Sequence, residues 1–238
     1  MNTTHENKEE QPIVAEFSAA MARWVSPCMP TNDIRFYLNG IHIEPLKSGG
    51  VLITATDGHR LMSAFDKEGV ANRAFVVKIN RESLRHCSKR ESIFLTKRNK
   101  NLGTKIAVRG NSNLTVINGI GEEIFIQPGH CIIDCSSYPK WREEGRITNP
   151  PNRSDLVPAG EALVNMSYLT QFIKELPGNG ITSPCVKLWR DGTSSVAPES
   201  SVVFVEFNQL PLVGIVMPRT PDTTTNFYFD RRREYPND

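Results

Sequence analysis

Asp57 and His59 stand two residues apart in the run ATDGHRL. A carboxylate beside a histidine is the smallest pair able to hand a proton to a substrate. Residues i and i+2 of a strand share a face whatever their use, however, and no nucleophile or glycine-rich elbow accompanies this pair. His130, Cys131, Asp134 and Cys135 carry metal-ligating side chains. No CxxC exists, since Cys131 and Cys135 are four apart, and a strand turning into a loop accounts for them without an ion. Residues 49–51 and 119–121 are glycine-containing but match no phosphate-binding fingerprint, and no Walker motif is present, so both read as hairpin turns. The reading is of a binding protein, with no catalytic residue, no metal and no cofactor.

The other candidates are basic. Arg81, Arg85 and Lys89 recur every four residues, so a helix would place them on one face, with His86 and Arg90 at its margins. Arg23 and Lys174 are lone basic residues on two other predicted helices. Such groups suit phosphates, which give affinity without sequence choice. The plainer reading of a charge run is a solvated face. Lys97, Arg98, Lys100 and Lys105 form a second basic cluster in a predicted hairpin loop, where a soluble loop explains them equally well. Overall charge does not decide: 28 basic against 26 acidic residues leave +2, so any nucleic-acid contact must be local.

Three stretches of the chain position these residues, each written in the same way. A short apolar strand leads to a capping residue, then to a helix, then to further strands. The first is IVAEF, Ser18 and AAMARWV. The second is AFVVKI, Asn80 and RESLRHCSK. The third is EALV, Asn165 and MSYLTQFIKEL. Alternating runs such as IRFYLNGIHIEP, KIAVRG and SSVVFVEF follow the helices, as half-buried strands do. The fold class is α+β, built from three β-α-β-β(-β) units. Their boundaries fall at 13–72, 73–148 and 161–220. A Pro/Gly/Asn-rich linker spans 149–160, and tails occupy 1–12 and 221–238. The 238 residues, 39% hydrophobic and 23% charged, suffice for a sizeable core. Five cysteines in irregular spacing, a polar opening segment and no apolar run near the roughly 18 residues of a membrane span point to a soluble, cytoplasmic protein with reduced thiols.

The run from Asp33 to Phe65 closely resembles the second domain of the bacterial DNA polymerase III β subunits, the β sliding clamps. That family pairs a YLNG strand with an ATDGHRL strand at similar separation, here residues 37–40 and 55–61. DCSSYPKW looks like the segment closing the same domain, and IVMPR looks like the family's C-terminal VVMPMRL. The helix in LVNMSYLTQFIKEL resembles one in the second half of the last domain. The similarity runs from about residue 13 to residue 219, strongest in the first third. Family members carry about six units per chain against three here, so this chain resembles a shortened form.

The resemblance implies a clamp fold, with helices lining a ring around double-stranded DNA and sheets outside. If the ring keeps about twelve units, four chains close it, and a head-to-tail homotetramer is the expectation. Arg23, Arg81, Arg85, Lys89, Arg90 and Lys174 become the candidates for the pore. It also implies an apolar pocket for short linear motifs of a DNA polymerase and a clamp loader. Matching positions place Leu38, Thr56, Gly58, His59, Arg60, Leu61, Ile215, Met217, Pro218 and Arg219 there. Met217 suits varied partners, and Gly58 admits a close peptide backbone. The family's second methionine is missing, since Thr220 follows Arg219. Taken singly, Leu38, Leu61 and Ile215 read as core. The rival reading is a clamp-like module that binds host replication proteins without encircling DNA. The economy of three units suits a phage or another compact genome.

Overall fold

Three side-chain caps start the three helices. The structure, a computed structural model, describes residues 11–89, 104–143, 146, 148–160, 162, 164–177, 186–197, 200–208 and 210–218. Ser18 accepts the Met21 N–H at the start of α1 (Ala19–Val25). Asn80 accepts from Ser83 at α2 (Arg81–His86), and Asn165 from Ser167 at α3 (Met166–Lys174). Each cap satisfies an amide that the first helical turn leaves without a partner.

In the first unit β1 (Ile13–Ser18) runs straight into α1, and β2 (Ile41–Pro45), β3 (Val51–Thr56), β4 (Arg60–Asp66) and the short β5 (Val70–Ala71) follow. The second unit repeats this as β6 (Phe75–Val77), α2, β7 (Lys105–Arg109), β8 (Leu114–Ile117), β9 (Glu123–Gln127) and β10 (Ile132–Ile133). In the third, β11 (Leu156–Pro158) precedes α3, and β12 (Val186–Asp191), β13 (Val203–Phe207) and β14 (Leu212–Val216) follow.

The strands form two antiparallel sheets, ordered β5-β1-β7-β8-β9 and β10-β6-β2-β3-β4-β14-β13-β12-β11. The first two units therefore trade opening strands: β1 lies on β7, and β6 lies on β2. The third unit extends the larger sheet by pairing β14 with β4, and its opening strand folds back onto its own β12. Phe17, Ile106 and Val108 from one sheet and Ile41, Ile53 and Phe75 from the other close into one core with α1, of whose seven residues only Arg23 is not buried.

Three local expectations change. Of EALV, the described Ala162 and Val164 are not in a strand, and the strand before α3 is β11, inside the stretch read as a linker. Its Pro158 sits on a sheet edge, where a missing N–H costs no ladder bond. IRFYLNG is not a strand at its start. Phe36–Leu38 form a 3-10 turn, because the Asn39 side chain both accepts from the Asp33 N–H and donates to the Asp33 carbonyl, closing a loop. The glycine of YLNG has a steric cause, since a Cβ at Gly40 would lie 2.7 Å from the Val77 carbonyl oxygen. Finally, α2 stops at His86. Cys87 turns to extended backbone, is buried, and gives its carbonyl to Arg23 at 2.6 Å. No helix among the described residues is long and apolar enough to cross a membrane.

Candidate functional site

The turn between β3 and β4 is built by its own side chains. Asp57 Oδ1 accepts the backbone N–H groups of His59 and Arg60, and its Oδ2 accepts from Arg60 Nε at 3.0 Å. Thr56 Oγ1 donates to the Arg60 carbonyl and accepts the Gly58 N–H. Gly58 takes φ +88°, a left-handed conformation that side chains strain. Asp57 is thus spent on holding the turn and Arg60. Its bond to His59 goes to the backbone and not to the imidazole, so the acid–base pairing has no geometric support.

The turn aims β4 at β14. Leu61 lies opposite Ile215, and the Met217 N–H donates to the His59 carbonyl at 2.8 Å, carrying the pairing past the strand end. On the face away from α3, Leu61, Ile215 and Phe204 pack against Trp141, with Met217 at the margin. A cleft of about 260 Å³ opens there. Of the expected pocket residues, Thr56, Gly58, Arg60, Leu61, Ile215 and Met217 line it. Leu38 does not. It is 1% exposed between Val76 and Tyr138, so at this position the plain core reading holds. His59 is exposed on the turn and Pro218 is half-buried; neither lines the cleft. Arg219 lies outside the described residues.

Sequence reasoning missed the opposite wall, made by Pro139, Lys140, Trp141, Arg146 and Thr148. Thr148 Oγ1 donates to the Trp141 carbonyl, and the Arg142 guanidinium stands 5.7 Å from the Trp141 ring while pairing with Glu44. The available signal was the large aromatic in YPKW, whose partners lie some 75 residues away. Under the cleft, Arg60 donates to the Pro27 carbonyl and lies 4.8 Å from the Tyr168 ring centre, while its buried Nη1 has no hydrogen-bond partner among the described residues.

Across residues 139–141 lies a second hollow of about 530 Å³, with His42 stacked on Tyr138 at 4.4 Å in its wall. Burial, helped by the Arg142 charge and opposed by Glu44, holds the imidazole down to about 4. The unfolded histidine protonates near 6.5 and the folded one does not, so stability falls as pH drops from about 6.5 to about 4, by as much as ~3 kcal/mol. Replacing His42 with Phe keeps the stack and should flatten this window in urea midpoints measured from pH 7 to pH 4. An unchanged slope would remove His42 as its cause.

The basic candidates split into two groups. Lys89 lies beyond the end of α2, so the expected stripe of Arg81, Arg85 and Lys89 is cut short. Arg81 and Arg85 remain exposed on the helix. Arg23, Lys89 and Lys174 instead meet at the C-terminal end of α3. Arg23 Nε pairs with Glu175 at 2.8 Å, and Lys89 Nζ reaches Glu175 and the Lys174 carbonyl. Partial burial pushes the Glu175 carboxyl up, but the Arg23 hydrogen bond and charge, with Lys89, bring it below its ordinary value. Arg23 is thus committed to structure. Arg90 lies outside the described residues, as do Lys97, Arg98 and Lys100, and Lys105 pairs with Glu16. Among the described residues no cluster of His, Cys, Asp and Glu could hold a metal ion; Cys131 lies in a hydrogen-bonding contact with Gln127.

No family model matches the sequence. No curated protein matches it either. Solved structures do. A DNA polymerase III subunit β from Borrelia burgdorferi, in complex with a natural product, superimposes with TM-score 0.53 at 14% identity, covering 92% of this chain and 67% of that one. The fold is that of the DNA sliding clamps. A sliding clamp from Pseudomonas aeruginosa bound to griselimycin gives TM-score 0.53 at 18% identity, over 89% of this chain and 67% of that clamp. A putative β subunit from Eubacterium rectale gives 0.54 at 10%, over 92% and 67%. The clamp fold is thus present in a chain spanning about two thirds of these proteins' length, which fits a shortened form.

Proposed function

We propose that this protein is a sliding clamp, a binding protein and not an enzyme, which encircles duplex DNA and tethers replication partners through the cleft beside β14. The observation that carries the reading is the Leu61–Ile215 rung. It joins the third unit to the first in one continuous sheet, and it floors an apolar cleft with Trp141 as a wall. A cleft of this size, mostly apolar with Arg60 and Thr56 at its edge, suits one or two bulky side chains of an extended peptide. Such a peptide would be supplied by a polymerase or a clamp loader. Three units per chain require four chains for a ring of about twelve units, and exposed Arg81, Arg85 and Lys174 supply charge without base-reading geometry.

The test is topological. The clamp is assembled on a nicked circular plasmid, with a loader if needed, and separated by gel filtration in moderate salt. Retention on the circle and loss after a single linearising cut are expected. Retention that survives the cut would mean adhesion and not encirclement, and would favour the non-encircling module.

A further inference from the structure

The first two units bury each other's inner residues. Ile41 and Ile43 of β2 and Ile106 and Val108 of β7 are all 0% exposed. Val186 and Leu188 stand at the corresponding place on β12 and pack on the same core, yet they remain half-buried. The helix repeats the contrast. Tyr168 and Glu175 turn one side of α3 to Arg60 and Arg23, while Phe172 and Leu176 point inward. At about 3.6 residues per turn, the side opposite Tyr168 belongs to Met166 and Ile173. These are 68% and 41% exposed. The third unit therefore keeps an apolar flank open on the side away from α1, and that flank is continuous with the packed core.

What closes such a flank is visible elsewhere in the same molecule. The β1–α1–β2–β3–β4 unit is closed by a second unit of the same plan, β6–α2–β7–β8–β9, with like strands exchanged between them. The third unit has no such mate among the described residues. We propose that its mate is the third unit of a second copy of this chain, related by a twofold axis, so that the two half-domains make one composite domain. A twofold follows because the same patch must face itself. β14 is already fixed to β4, so the composite domain would present one β14 at each end, each continued by its own chain's complete pair of units. Two chains then make an arc of three domains. The far end of each arc is β9, with Ile124 and Ile126 exposed on an open sheet edge.

Joining two arcs into a ring rests on the clamp reading; the pairing of two chains does not. It replaces the head-to-tail junction expected from the sequence with an isologous one at this point. Native mass spectrometry of the full chain at about 10 µM tests it, because assembly follows mass action. The parent should show four chains, about 107 kDa from four times 26.7 kDa. The double variant Met166→Glu/Ile173→Glu should lose at least half of that mass, with the circular dichroism spectrum of the chain preserved, and Met166→Leu should keep the parent's mass. Should the double variant fail to fold, Met166→Lys alone, at the more exposed site, reads the same contact. An unchanged mass in a folded variant, or a parent that is a single chain, overturns the pairing. A parent that stops at two chains, split to one by the variant, upholds the pairing and sinks the ring.

Discussion

Met217→Glu should weaken capture of a fluorescein-labelled hexapeptide ending in Leu-Phe by about 30-fold or more in anisotropy titrations. The clefted face offers Leu61, Trp141, Ile215 and Met217 to an apolar side chain. A carboxylate there is either stripped of water by the incoming residue or excludes it. The cations that line the cleft are already paired, Lys140 and Arg146 with Glu143 and Arg60 with Asp57, so the cost stays at about 2 kcal/mol, which converts to that factor. Met217 is only half-buried and its backbone N–H, not its side chain, makes the bond to His59, so the melting temperature should stay near the parent's. A peptide ending in Ser-Ser serves as the control and should bind neither protein. Equal affinity of parent and variant for the Leu-Phe peptide would remove the cleft as its binding site.

Phe172→Ala should have the largest effect on stability. Phe172 is 0% exposed, its ring centre lies 6.1 Å from that of Phe207, and its edge rests where a side chain on Gly214 would stand, at 2.9 Å from a Cβ built there. It is the one fully buried residue of α3 and holds that helix on β13 and β14. Truncating a buried Phe typically costs about 3–5 kcal/mol, a large part of the roughly 5–15 kcal/mol a domain holds. A urea midpoint lowered accordingly is expected, whereas exposed Gln171→Ala should move it by no more than about 0.5 kcal/mol. If both variants melt alike, α3 is not anchored through Phe172.

The parts of this fold legible in the sequence are those fixed by neighbours in the chain. Ser18, Asn80 and Asn165 announce helix starts because capping is local, and the β3–β4 turn is written in Thr56, Asp57 and Gly58 because the side-chain bonds of Thr56 and Asp57 stay within five residues. Leu61 and Ile215 could be placed opposite each other only through resemblance to the clamps, since about 150 residues separate them. Trp141 gave no such cue. Its role depends on residues 139–148 crossing the outer face of a sheet whose two halves meet at β4 and β14. β11 was hidden because Pro158 in a Pro-rich stretch reads as a linker, and only a sheet edge makes that proline acceptable. The shortening of α2 was invisible as well, because it depends on Cys87 being drawn into the core and on Arg23 claiming its carbonyl from another helix.

The rung between β4 and β14 has a mechanical consequence. It is at once a seam of the molecule and the floor of its cleft, so a guest seated on Leu61 and Ile215 grips both sides of the seam. A guest that binds only the joined state adds its own free energy to the joint. A partner held there would act as a staple, and prising the seam apart would have to eject it. Attachment of such a partner and the toughness of the junction beneath it would share one coupling free energy, read from two sides.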